Sequence, residues 1–272
     1  MGKLLTRGVL AVLWVVWLAP VYLLIVNASR STKEYAAAST WSLPHHFALW
    51  TNFKTAYDAA GLGGSLYSTA LYAIVAPAVA VVIGALAGFA IIALRLRHGF
   101  AWFMLIFGGS IFPVQMLIIP LFVGYADANL YDHRSGLILI YTAVSVPLAA
   151  FIMRNFFSGV SYNIYEAAVM DGASARRIFT SVYMPLAKTA CAAIFILEFT
   201  FIWNDLLFGL TLSQGDDVRP VMTALSSLLS AYAGTTYNVV LAAMLFVSLP
   251  TMAVFLCAQR LFARGLALGQ TG

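Results

Sequence analysis

Long uncharged apolar runs alternate with short polar stretches along this chain. The first run, Gly8 to Ser29, carries no charge and follows Lys3 and Arg7. It is long enough to cross the hydrocarbon core of a bilayer, which takes about 20 apolar residues. A signal peptide is the competing reading, but the run is long for one and Asn27-Ala28-Ser29-Arg30 makes a poor cleavage site. An uncleaved first span is therefore expected. The second span, Ser65 to Leu94, is interrupted by Pro77 and holds Gly84, Ala85, Ala87 and Gly88, small residues that let a neighbouring helix come close. A third is expected over about Phe100 to Phe122. It contains Pro113, Gln115 and Pro120, so it should face other helices or a cavity where freed backbone groups find partners. Ser135 to Met153, with Pro147, reads as the fourth span, Leu186 to about Leu212 as the fifth, and Tyr237 to Gln259 as the sixth. The pattern predicts an all-α polytopic membrane protein with six transmembrane helices.

The polar connections differ in kind. Arg30 to Gly64 is a long loop without sustained periodicity, carrying Trp41, Trp50, Pro44 and the pair His45-His46. No other group stands at metal-ligand spacing from the two histidines, so they read as solvated or interfacial, and the aromatics suit a membrane-interface belt. Arg95-Leu96-Arg97-His98-Gly99 is a tight basic turn, and Gly124 to Arg134 a short polar loop with Asp127 and Asp132. A last loop holds Asp216, Asp217, Arg219, Pro220 and Gly234; its stretch Val221 to Tyr232 is apolar enough for a helix lying on or dipping into the surface.

Charge orients the pattern. With both termini inside, the inner segments hold Lys3, Arg7, Arg95, Arg97, Arg154, Arg176, Arg177, Lys188, Arg260 and Arg264, whereas the outer ones hold Arg30, Lys33, Lys54, Arg134 and Arg219. This two-to-one excess obeys the positive-inside rule. Six acids, Glu34, Asp58, Asp127, Asp132, Asp216 and Asp217, fall outside. The net charge of +5 is thus a matter of membrane sidedness and implies no nucleic-acid partner.

Composition agrees: 62% of residues are hydrophobic and 9% charged, outside the range of soluble domains. The length suits one polytopic domain over 1–272, with no room for a separate soluble enzyme. Cys191 and Cys257 lie in apolar runs and imply neither disulfide nor metal site. No Gly-x-x-x-x-Gly-Lys-Ser/Thr loop exists to cradle a nucleotide, so the chain has no means of hydrolysing ATP itself. No nucleophile elbow or paired-carboxylate arrangement is present either, and no catalytic residue is expected.

Two places carry unusual chemistry. The first is a polar island between the fourth and fifth spans. Glu166 to Met170 reads as a short helix, Asp171-Gly172 as a turn in which glycine is free to take positive φ, and Ala173 towards Met184 as a second helix that Pro185 stops or kinks. Glu166 can anchor the first helix, with Arg176 or Arg177 as a partner; Asp171 is placed to cap the second. Ala167, Ala168 and Ala173 are small enough for another surface to approach, and Ile178 and Phe179 could fill a partner's groove. The second place is the fifth span, where Glu198, Asn204 and Asp205 sit among apolar residues. A carboxylate in the membrane is costly and usually faces a bundle interior or a wet cavity. On a continuous helix Glu198 and Asp205 would share a face roughly 10 Å apart. Gln115 of the third span is a further candidate lining group. Both the passage reading and simple helix–helix hydrogen bonding remain open for these residues.

Glu-Ala-Ala, two residues, Asp-Gly-Ala, and a Pro-Leu nine residues after Arg176 resemble the coupling loop of bacterial ABC importer permeases, most closely the maltose-type carbohydrate-uptake branch. Trp203-Asn204-Asp205-Leu-Leu-Phe is similar to the Trp-Asn-(Asp/Glu)-(Phe/Leu) patch of that branch, and Thr51-Asn52-Phe53 to an Asn-aromatic of its outer loop. Gln259-Arg260 through Gly265-Leu266 resembles its C-terminal Gln-Arg…Gly-Leu. The final Gly269-Gln270-Thr271-Gly272 departs from the usual Gly-Ala-Val-Lys-Gly. The resemblance implies a cytoplasmic coupling-helix loop over about 156–187 that docks on an ATPase. It points to Ala168, Asp171, Gly172, Ala173 and Ser174 as the main contacts. It further implies a bacterial inner-membrane location, a sister permease, two ATPase subunits that bind ATP and Mg, and an extracytoplasmic solute-binding protein. The cargo it implies is a sugar or oligosaccharide, with a glycerol-phosphate-type or modified-sugar solute as the runner-up. No cofactor is expected in this chain. A secondary transporter or channel is the rival of another class, against which stands the lack of a visible internal repeat. A reporter fused after Ser174 should read cytoplasmic; an external readout would overturn the topology.

Overall fold

The structure, a computed structural model, describes residues 2–111, 113–229 and 236–268, with side chains over 5–111, 113–229 and 236–259. Among the described residues every regular element is helical. In chain order they are α1 (Gly2–Ala28), α2 (Thr32–Ala37), α3 (Leu49–Ala60), α4 (Leu62–Ile92), α5 (Gly99–Gly108), a 3₁₀ turn (Val114–Leu117), α6 (Ile118–Asp127) and α7 (Arg134–Ser158). There follow α8 (Tyr162–Met170), α9 (Ala175–Ile178), a π-helical turn (Phe179–Tyr183), α10 (Met184–Leu186), α11 (Lys188–Trp203), α12 (Leu207–Leu212), α13 (Val221–Leu228) and α14 (Tyr237–Leu268). The chain gathers into two compact units, one of Met1–Leu66 with Val221–Pro250, the other of Tyr67–Pro220 with Thr251–Gly272. The tail that carries the C-terminal resemblance lies beyond the described side chains from Arg260 on, and Gly234 and 269–272 lie outside the described residues.

Four helices, α1, α4, α7 and α14, are individually long and apolar enough to cross a membrane. The other two expected spans are broken. The third stops at Gly108 and resumes as the 3₁₀ turn and α6, on either side of a stretch that leads into Pro113, a residue that disfavours helix just before it. The fifth is bent twice. The helix Ala175–Leu186 meets α11 at 73°, and α11 itself ends at Trp203, with α12 starting afresh at Leu207. Counting the first bent pair as one span gives up to five.

In the first unit, the loop expected from Arg30 to Gly64 contains α2 and α3. Ala56 and Ala60 of α3, with Leu62, pack on Val221, Ala224, Leu225 and Leu228 of α13 and on Val239, Val240, Ala243 and Val247 of α14. The helix expected within Val221 to Tyr232 is present as α13, packed on α3 and α14, while 230–232 lie outside the described residues. α3 escapes a pattern reading because its buried face is made of alanines, which carry little hydrophobic signal. A polar clamp sits beside this core. Arg30 is 0% exposed. Its guanidinium donates to Asn27 Oδ1 at 2.9 Å, to the Ser39 carbonyl at 2.7 Å and to Ser42 Oγ at 2.8 Å. Its own carbonyl accepts from Asn52 Nδ2 at 2.7 Å and Asn238 Nδ2 at 3.0 Å. A buried cation is tolerable only when so surrounded by acceptors. Asn52 thus ties α3 to the end of α1, which gives the Asn-aromatic of the sequence a structural role. Nearby, the His45 N–H donates to Glu34 Oε1 at 2.6 Å, and this bond holds the Glu34 carboxyl below its ordinary pKa.

In the second unit, α4 and α7 lie against each other at backbone distance. A Cβ at Gly84 would stand 2.6 Å from the Ala149 carbonyl carbon, and one at Gly88 2.9 Å from the Arg154 nitrogen. Around this seam Ala80, Ala85 and Phe89 of α4 join Ala149, Met153 and Phe157 of α7, together with Ile178, Tyr183, Ala187, Ala190 and Ile194. Asp132 Oδ1 accepts from the N–H groups of Gln214 (2.8 Å) and Gly215 (2.9 Å), and Arg134 and Tyr72 donate to the carbonyls of Asp217 (2.8 Å) and Val218 (2.7 Å), so the loop after α12 is closed by hydrogen bonds. Gly84→Val should destabilise the chain by about 1–3 kcal/mol or more, since the obstructing atoms are backbone. A denaturant titration in detergent micelles measures the loss, and wild-type stability would show that the α4–α7 approach is looser than described.

Candidate functional site

The polar island folds as two short helices and a turn. α8 ends on Asp171, whose N–H bonds back to the Ala167 carbonyl at 3.0 Å. Gly172 follows at φ +76, the left-handed conformation that glycine adopts without penalty. A Cβ built there would meet nothing within 4 Å, so the requirement for glycine is one of backbone conformation. Ser174 caps α9, its Oγ accepting from the Arg177 N–H at 3.4 Å. Asp171, expected in that role, instead closes α8. Thr180 Oγ1 donates to the Arg176 carbonyl at 3.0 Å, just where the helix widens into its π turn before Pro185.

The outward and inward faces of this motif differ from expectation. Glu166, Ala167, Asp171, Gly172, Ser174, Arg176 and Pro185 are exposed, and Ala168 and Ala173 half-buried. No ion pair joins Glu166 to Arg176 or Arg177; among the described residues the ion pair is Arg219–Asp216 at 3.0 Å. Ile178, expected to fill a partner's groove, is 0% exposed inside the chain's own core. Phe179 packs against Phe89 with centroids 5.3 Å apart. Both point inward because the 73° bend folds α9 and its π turn back onto α4 and α7. The apolar groups offered to solvent are Ile164, Val169 and above all Met170, 87% exposed at the end of α8. Pattern reading passed over Met170 because it is continuous with the apolar residues around it.

Aromatic side chains seat the motif. The Arg95 guanidinium lies 3.6 Å over the Tyr162 ring, a contact worth about 0.5–1 kcal/mol at an exposed position. Tyr162 stacks on Tyr165 (5.5 Å), and Tyr165 reaches Phe89 at 6.5 Å. Phe89 also meets Tyr183 edge-on at 4.9 Å, and Tyr183 meets Phe157 of α7 at 5.2 Å.

The intramembrane carboxylates are paired with α7. Tyr141 donates to Asp205 Oδ2 at 2.8 Å and Ser145 to Glu198 Oε2 at 2.6 Å. Asp205 Oδ2 also accepts from the N–H groups of Phe208 (3.1 Å) and Gly209 (3.2 Å), which makes it the cap of α12 across the helix break. The two carboxylates therefore do not share one continuous helix face. Tyr141 and Ser145, four apart on α7 and so on one face, were legible only as two polar residues in an apolar run. Glu198 and Asp205 are 5% and 8% exposed. Glu198 borders an apolar recess with Val144, Leu148, Leu197 and Phe201. Trp203 is buried and stacked on Phe199 at 5.5 Å. Asn204 is exposed and donates to the Thr200 carbonyl at 2.8 Å, and Gln115 is exposed on the 3₁₀ turn. The structure thus brings Asp205, Glu198, Tyr141 and Ser145 together along α7.

Comparison with known proteins places this architecture. A family profile described as "Binding-protein-dependent transport system inner membrane component" matches residues 80–268. The diacetylchitobiose uptake system permease protein NgcG of Streptomyces coelicolor is 28% identical, over 96% of this chain and 86% of its own. The sn-glycerol-3-phosphate transport system permease protein UgpE of Yersinia enterocolitica is 31% identical, over 97% and 93%. The melibiose/raffinose/stachyose import permease protein MelC of Bacillus subtilis is 29% identical, over 92% and 90%. In fold, the chain matches a crystal structure of a bacterial ABC transporter involved in the import of the acidic polysaccharide alginate, with TM-score 0.80, 22% identity and 95% of each chain covered. The chain belongs to the family of binding-protein-dependent transport system inner membrane components: it is a permease subunit of an ABC importer, a multi-pass inner-membrane protein that works with an ATPase, a substrate-binding protein and a second permease.

Proposed function

We propose that this chain forms one half of the translocation pathway for a sugar or oligosaccharide. In this reading six membrane-crossing segments, two of them broken helices, leave both termini in the cytoplasm. The α8–α9 motif faces the cytoplasm and docks on one of two ATPase subunits that bind ATP and Mg. The observation that carries the reading is the motif itself: an exposed helix pair hinged on Gly172 at φ +76 with Met170 almost wholly uncovered. Ala167, Ala168, Asp171, Ala173 and Ser174 border that hinge and are small or polar enough for a partner surface to close over them. Glu166 and Arg176 stand exposed beside them, without an ion pair among the described residues, available to partner groups.

The cargo reading rests on the relatives that import diacetylchitobiose and the melibiose series. Asn204 and Gln115, exposed amides, are the groups best placed to meet sugar hydroxyls, with Trp203 beside the first. Asp205 and Glu198 act in this reading as the fixed frame of the passage, already hydrogen-bonded to α7. A glycerol-phosphate-type cargo is the second reading, favoured by the UgpE relatives. Binding of a panel of sugars and glycerol phosphates to the partner binding protein separates the two. A sugar bound at least about tenfold more tightly, which corresponds to 1.4 kcal/mol, supports the first.

Gly172→Val should uncouple the importer. A β-branched residue in the left-handed region costs roughly 1–2 kcal/mol, which would refold the turn while leaving the packed helices intact. Insertion and expression are expected unchanged, with uptake in whole cells reduced by an order of magnitude, about 1.4 kcal/mol of coupling. Gly172→Asn, which tolerates this conformation better, should keep most of the uptake. Full uptake by the valine variant would count decisively against the motif as a lever.

A further inference from the structure

The lever is anchored in an unusual way. Among the described residues no side chain of α8 makes a hydrogen bond or ion pair with another element; its bonds are those of its own backbone and the adjoining turns. Besides the apolar packing of Ala168 on the core, what seats it is ring contact. Tyr162 lies under the Arg95 guanidinium at 3.6 Å, Tyr162 and Tyr165 stack at 5.5 Å with planes 23° apart, and Tyr165 abuts Phe89. Phe89 then receives the other limb, Phe179 at 5.3 Å and Tyr183 at 4.9 Å. Both limbs of the motif converge on this one ring, which is 4% exposed.

The position of Phe89 gives that convergence a direction. It follows Gly88, where α4 lies so close to α7 that a Cβ would sit 2.9 Å from the Arg154 nitrogen. α7 carries Tyr141 and Ser145, which hold Asp205 and Glu198. Close-packed aromatic contacts have few alternative rotamers and pass displacement on without absorbing it. A layer of flexible aliphatic or hydrogen-bonded side chains would yield.

We infer that Phe89 is the positioning residue through which movement of α8 and α9 reaches the membrane helices, and that the Arg95–Tyr162–Tyr165 stack is the arm that loads it. Arg95 adopts φ +50 in the turn after α4, so the stack clamps α8 to the end of the same helix that carries Phe89. The inference rests on the reading of the α8–α9 motif as the ATPase contact, and goes beyond it in naming the residues inside the chain that carry the motion.

The test uses the complete importer in liposomes, with its ATPase and binding protein, and reads solute transported per ATP hydrolysed. Phe89→Leu and Tyr162→Leu should each lower that ratio by at least about fivefold, a typical coupling magnitude, while the ATPase stays bound and continues to hydrolyse. Tyr162→Phe, which keeps the ring, should stay near wild type. Arg95→Gln combined with Tyr162→Leu should be no worse than Tyr162→Leu alone, as expected for two members of one contact. A merely structural role would lower transport and hydrolysis together, and that result, or an unchanged ratio in both leucine variants, overturns the inference. Tyr162 and Arg95 lie at the periphery, so their variants decide the matter even if Phe89→Leu misfolds. Failure of the underlying reading has a different signature: Met170→Asp would leave ATPase binding undiminished.

Discussion

Polar groups enclosed by apolar helices must find their partners within the chain, and that requirement shapes both units of this permease. In hydrocarbon, an unpaired donor or acceptor costs several kcal/mol, so each enclosed polar side chain fixes the elements around it. Arg30, fully buried, gathers the end of α1, the loop through Ser42, and the amides of α3 and α14. In the second unit Asp205 does the same for α7 and α12, ending one helix and starting the next. These are local anchors around which the apolar packing is arranged, and packing alone has no such directional preference.

The second constraint is closeness. Glycine at 84 and 88 brings the α4 and α7 backbones together, and the surrounding alanines keep the seam narrow. A narrow seam has little slack, so movement of one helix is felt by the other. Function as an importer subunit needs this property, since the chain carries no nucleotide-binding loop and takes its energy from outside. In the reading proposed above, the exposed α8–α9 motif and the narrow seam are complementary parts: one would accept a push and the other would pass it on.

The broken spans belong to the same logic. The break after Gly108 and the one at 204–206 interrupt the ladder of backbone bonds that a regular helix would make internally. They are tolerable in a membrane only where protein or water supplies partners. At 204–206 the partners are identified: Asp205 takes two N–H groups of α12 and the Tyr141 hydroxyl. The exposed Asn204 beside this break turns its amide back onto the Thr200 carbonyl.

The sequence by itself determined the membrane class, the helical content, four of the long spans and the helix–turn–helix centred on Gly172. Each depends on composition, hydrophobic run length or the φ of one residue, quantities local to the chain. It did not reveal that α3 packs on α13, because an alanine face carries too little hydrophobic contrast. Nor did it distinguish a continuous fifth span from one broken at Asp205, since a carboxylate in an apolar run reads the same whether it lines a helix or caps the next. Only the tertiary structure decided which way Ile178 and Phe179 face, which hydroxyls of α7 hold the two carboxylates, and that the aromatic side chains of the α8–α9 motif and its π turn converge on Phe89. These depend on which segments distant in sequence become neighbours, and hydrophobic periodicity specifies a face without specifying what covers it.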